Sequence, residues 1–195
     1  MTKKAILHTA LHQFSQKGYT ATSIREIASA VGIKESSVYA HFASKEEIFR
    51  SVIEHYDFLQ SALVDMEEIL DNPFTVLSAR AESIIASYDN LDYIAYSKLT
   101  QMEMLKDGPA RELVRSESFD KVEIFFENML VALMDNKTLK ETDKSLILAE
   151  FIGPFHYLHM KIISGWLADG EKEIVITTMR KHLKYFLESF RRIER

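Results

Sequence analysis

Backbone punctuation is scarce in this chain: six glycines and three prolines stand among 195 residues. That is about 5%, where an ordinary globular chain carries roughly 12%. Hairpins, bulges and tight turns consume those two residues, so their shortage predicts few, long elements, and therefore helices. The apolar spacing agrees. Leu7, Ala10, Leu11 and Phe14 stand at i, i+3, i+4 and i+7, one face of a helix from Thr2 to Lys17 that Gly18 ends. Ile24, Ile27, Ala28 and Val31 repeat the spacing behind Ser23 and Glu26, an S-x-x-E capping signal with Thr22 as the competing cap. A short third helix from about Lys34 to Phe42 buries Val38 and Phe42. Ser44 and Glu47 repeat the capping signal and open a fourth helix, whose apolar positions run through Ile48, Val52, Ile53, Leu59 and Leu63 to about Leu70.

Beyond that point Asn72-Pro73, Asp92, Asp107-Gly108-Pro109, Thr142 and Gly170 read as helix boundaries. A bend is expected near Ser116, and another at Gly153-Pro154, where an interior proline removes a backbone hydrogen bond. The last helix carries Val175, Met179, Leu183, Phe186 and Phe190 at helical intervals. The expected fold is all-α with about nine helices.

Composition excludes more than it identifies. With no cysteine, disulfide scaffolds, thiolate metal sites and cysteine nucleophiles are absent, which suits a reducing cytoplasm. The polar residues His8, Thr9, His12 and Gln13 interrupt the N-terminal apolar stretch, so neither export nor a membrane partner is expected. No nucleophile–base pair, phosphate-cradling glycine loop or thiol ligand set is visible, so an enzyme is not expected and no cofactor is implied. His8 with His12 and His156 with His159 have metal-compatible spacing, but neither pair has an obvious third ligand, so no metal site is expected.

The net charge of −5 discourages a nucleic-acid partner until it is divided along the chain. Residues 1–50 hold seven basic and four acidic side chains, a net +3, and the remaining 145 residues carry −8. Two segments so different in charge point to different partners. The positive segment holds Ala28, Gly32 and Val38 across two short helices. A small residue where two helices cross, a residue tolerant of positive φ in the turn, and an apolar anchor beneath the second helix make a helix-turn-helix. In that arrangement the second helix enters a DNA major groove, and its outward residues here are Lys34, Glu35, Ser36, Ser37, Tyr39, Ala40 and His41.

The run from Gly18 to Ala28, then Val31-Gly32-Ile33, then Ser37-Val38-Tyr39-Ala40-His41-Phe42-Ala43-Ser44-Lys45-Glu46, resembles the N-terminal domain of TetR-family bacterial transcriptional regulators. It departs from the family's frequent pattern at Lys34 and Ser36, where the recognition helix often has a Ser or Thr cap and then Gly. The resemblance implies a DNA-binding domain over 1–46 and a helical ligand-binding and dimerisation domain over 47–195. Thr22 is expected to cap the second helix near a phosphate and Lys45 to face another. Lys34, Ser36 and Ser37 are the base-reading residues expected, Glu35 an acceptor for cytosine or a phosphate-repelling selector. Tyr39 and His41 look like the family's backbone-contacting pair.

For the remainder, an aromatic and methionine-rich pocket for an apolar effector is expected from Tyr93, Tyr96, Met102, Phe126, Phe151, Phe155, His156 and His159. The family resemblance implies a homodimer through the last two helices, a palindromic operator, repression as the default, and the fourth helix as a lever between domains. The alternative is a helical protein-interaction module that does not bind DNA.

Overall fold

The computed structural model describes residues 3–57 and 65–192. Its helices are α1 Lys3–Ala21, α2 Ile24–Val31, α3 Glu35–Tyr39, α4 Lys45–His55, α5 Met66–Asp71, α6 Pro73–Ser87, α7 Leu91–Met104, α8 Pro109–Val114, α9 Asp120–Asp135, α10 Lys144–Ser164 and α11 Glu171–Phe190. A π-helical turn, Arg115–Phe119, joins α8 to α9 without a break. Counting α8, the π turn and α9 as one run gives ten continuous helices among the described residues, with one isolated bridge between Leu139 and Arg191 as the only β pairing there. The all-α expectation holds.

Two boundaries differ from the sequence reading. The fourth helix does not run on to Leu70, because α4 closes at His55 with Tyr56 as its C-cap and α5 starts anew at Met66. Leu59 and Leu63 lie outside the described residues. Asp92 does not cap α7; Asn90 does, its side chain accepting from the amides of Asp92 and Tyr93 at 2.9 and 3.4 Å. The helix α10 continues through Pro154, where the sequence reading places a bend. The bend expected near Ser116 falls inside the π turn, where one extra residue is accommodated within a helix.

Two compact units emerge from packing. One draws on residues 1–60 and 90–121, the other on 61–89 and 122–195. Unit one is centred on Phe14, Phe42 and Phe49, with Ile6, Leu11, Ile27, Ile48, Val52 and Ile53 all but sealed from solvent. The Phe14 and Phe49 rings meet edge to face at 5.3 Å. Each such side chain contributes about 1.5–3 kcal/mol by leaving water, so this core holds α1–α4 firmly. Within the unit, α1 packs against α2, α4 and α7. Unit two is built around Ile69, Met129, Leu133, Phe151, Phe186 and Leu187, with α10 packed along α11. By length and composition α10 could cross a membrane. It instead contributes Ile147, Phe151, Leu158 and Ile163 to burial, and it carries Glu150 and Lys161.

Candidate nucleic-acid interface

Local chemistry sets the helix-turn-helix. Gly18 interrupts α1 with φ +84°, and a Cβ there would collide with the side chains of Lys106 and Glu103. Ser23 then caps α2: its hydroxyl accepts the Glu26 amide at 3.2 Å, and the Glu26 carboxylate accepts the Ser23 amide at 2.9 Å. Lys17 reaches the same carboxylate at 2.7 Å. The Lys17 hydrogen bond, with the Ser23 bonds, holds the Glu26 carboxyl down at about 2. Gly32 turns the chain at φ +78°, ψ +32°, and Ile33 donates back to the Ala28 carbonyl at 3.0 Å. The positive φ expected at Gly32 is present; an L-residue there would be strained. Ala28 and Val38 are both buried, as the steric reading of the motif requires.

The α3 surface opposite that core is open. Lys34, Glu35, Ser36, Ser37, Tyr39, Ala40 and His41 are all exposed, with half of Tyr39 in solvent. Lys34 occupies the N-cap without a side-chain cap bond, consistent with the departure noted at that position. The Ser37 amide in the first turn donates to the Lys34 carbonyl at 2.9 Å. Lys3 lies over the Phe42 ring at 5.0 Å, which brings a cation of the N-terminal turn close to this end of the unit.

The expected cap at Thr22 is corrected, and Lys45 has partners within the fold. Thr22 is 1% exposed and does not cap α2; its hydroxyl donates to the Gly18 carbonyl at 2.8 Å. Ser23 took the cap because its extended backbone puts Oγ against the Glu26 amide. Lys45 is bonded within the protein. Its ammonium donates to the carbonyls of Tyr19 and Thr22 at 2.9 Å each and of Thr20 at 3.3 Å, and sits 4.4 Å from the centre of the Tyr19 ring. It closes the C-terminal end of α1, where helix carbonyls lack partners and the dipole favours a cation.

The residues expected to hold an effector divide between the units. In unit one, Tyr93 and Tyr96 are buried, and the Tyr96 hydroxyl bonds Ser118 Oγ at 2.7 Å. Burial pushes that phenol's pKa up. Met102 packs partly buried on the same core. In unit two, Phe126, Phe151 and Phe155 form a run of ring contacts at 5.2 and 5.9 Å. His156 is exposed. His159 Nδ1 lies 3.0 Å from the Tyr88 hydroxyl, and burial, reinforced by His156, lowers its pKa to about 4. Helical spacing did not single out His182, whose ring stacks edge-on to Phe155 at 5.1 Å and whose Nε2 is buried without a hydrogen-bond partner. A groove of about 410 Å³ opens in unit one, lined by Tyr19, Phe49, Arg50, Ala110 and Leu113 among others, none of them expected from sequence.

The fold and this surface define a helix-turn-helix protein with a larger helical remainder. Residues 6–52 match the family described as bacterial regulatory proteins, tetR family. YerO, an HTH-type transcriptional regulator of Bacillus subtilis, is 44% identical over 176 residues, spanning 88% of this chain and 60% of YerO. The transcriptional repressor KstR2 of Mycolicibacterium smegmatis is 24% identical over 147 residues, 73% of this chain and 70% of that protein. A transcriptional regulator from Aquifex aeolicus VF5 shares the fold, with a TM-score of 0.70 at 21% identity over 95% of this chain and 99% of its own. Residues 6–52 thus carry the N-terminal domain of the tetR family of bacterial regulatory proteins, and the two sequence relatives are transcriptional regulators.

Proposed function

We infer that this protein represses transcription by binding a palindromic operator as a homodimer, and leaves DNA when a small, largely apolar effector binds. The observation that carries the reading is the surface at α3: seven exposed positions between Lys34 and His41, interrupted only by the buried anchor Val38, which ties the helix to a sealed core. A helix used only for internal packing would turn an apolar stripe toward a neighbour. Lys34, Ser36 and Ser37 read bases, Glu35 selects among them, and Tyr39 and His41 hold the sugar–phosphate backbone. Thr22 and Lys45 support this surface by fixing the end of α1. Residues 1–46 supply the DNA-reading function and 47–195 the effector and dimer functions. Operation in the cytoplasm follows from a chromosomal target.

The dimer reading rests on α10 and α11. Leu146 and Tyr157 on α10 and Ile174 and Tyr185 on α11 are each more than half exposed. A second copy covering these helices would bury that apolar surface and give two recognition helices for two half-sites. The effector reading rests on Phe126, Phe151 and Phe155 with the His182 ring against Phe155 and its Nε2 buried without a hydrogen-bond partner, an apolar surround with a polar handle. Selection of bound sequences from a random duplex pool tests the whole. A two-fold symmetric sequence, bound less tightly as salt rises, is expected. Recovery of no sequence preference, with binding absent at low salt, would leave the interaction-module reading in its place.

A further inference from the structure

His8 and His12 lie one turn apart on α1, and both rings point their Nε2 atoms at one carboxylate oxygen of Asp92 in the first turn of α7. The separations are 3.2 Å from His8 and 2.9 Å from His12, and the two rings stand 4.7 Å apart. One atom from each residue lies within 4.8 Å of the others. We propose that His8, His12 and Asp92 form a binding site for a divalent transition metal of the zinc class, linking α1 to α7.

The geometry and the donor set both support this. Zinc bonds to imidazole nitrogen and carboxylate oxygen are about 2.0–2.1 Å, which makes the edge of a tetrahedral ligand shell about 3.3 Å. The two nitrogen–oxygen separations are already within a few tenths of an ångström of that edge. Closing the third edge needs only side-chain rotation, since His8 is more than half exposed and His12 and Asp92 about a third or less. Two imidazoles and one carboxylate suit zinc, copper, nickel or iron, and disfavour magnesium and calcium, which take oxygen shells. A solvent-open fourth position remains for water.

The site spans two helices of one unit, so metal binding should stabilise that unit by mass action. The test uses the full chain stripped with a chelator, titrated with zinc by calorimetry, and melted with and without zinc. One equivalent per chain and a raised melting temperature are expected, with magnesium producing neither. His8→Ala and Asp92→Asn should each weaken zinc binding about tenfold or more and remove the melting shift. Because His8 is largely exposed, His8→Ala is expected to keep its helical circular dichroism, which separates loss of the site from loss of the fold. Absence of stoichiometric zinc uptake by the unsubstituted chain overturns the proposal. So does unchanged affinity and shift in both variants.

Discussion

The carboxylate of Glu103 on α7 accepts the backbone amide of Tyr19 at 2.9 Å, across 84 residues of sequence. It is 2% exposed and is also paired with Lys106 at 2.7 Å. Tyr19 is the residue after Gly18, where α1 breaks before the helix-turn-helix, so a single buried acid ties α7 to that break. Removing it leaves an amide and an ammonium without their acceptor. Glu103→Ala should cost about 1–3 kcal/mol of stability, and Glu103→Gln less, because the amide keeps an oxygen for Tyr19. Urea denaturation of the two variants side by side provides the check.

Lys45 tests whether a basic residue beside the recognition helix acts on DNA or on the fold. Its three carbonyl contacts predict that Lys45→Ala lowers stability by about 1–2 kcal/mol, before any DNA is added. A lysine acting on phosphate alone would leave the melting curve in place and reduce only DNA affinity.

On α3, exposure predicts the opposite pattern. Tyr39→Ala and Ser37→Ala should each leave stability within about 0.5 kcal/mol, since neither side chain supports the core. Tyr39→Ala should weaken binding to operator and random duplex alike. Ser37→Ala should alter base preference, with about 1–3 kcal/mol redistributed at one operator position. Competition gel shifts against both duplex types distinguish the two, and normal binding by a folded Tyr39→Ala variant would contradict the backbone role.

Acid should destabilise unit two. An unfolded histidine gains its proton near pH 6.5, whereas His159 in the fold gains it only near 4. Between those values the unfolded chain holds more protons, so stability is full above about pH 6.5 and is lost as pH falls toward 4. The contribution is at most about 3 kcal/mol. His159→Gln, which keeps a partner for the Tyr88 hydroxyl, should flatten thermal stability across that interval. An identical pH profile in the variant would remove His159 as its source.

Much of the architecture was legible because it rests on short-range rules. Helical spacing of Leu7, Ala10, Leu11 and Phe14, and of Ile24, Ile27 and Ala28, reports one face of a helix whatever packs against it, and those residues are buried. Gly32 and the capping pair Ser23–Glu26 act within a few residues, so turn and cap followed from neighbours in sequence. The choice between Thr22 and Ser23 did not: it depended on which backbone was extended, and the Thr22 hydroxyl had a carbonyl one turn back to satisfy. The same limit hid the end of α4, where apolar spacing continued past a boundary that spacing alone cannot mark.

The sequence by itself determined the helices, the helix-turn-helix and the outward residues of α3, because periodicity and turn chemistry are local. Only the tertiary structure decided what the polar side chains do, because their partners are distant in the chain. Lys45 meets carbonyls more than twenty residues before it, Glu103 meets an amide 84 residues away, and Asp92 reaches His12 across 80. A charge or an imidazole has no preferred partner until folding supplies one.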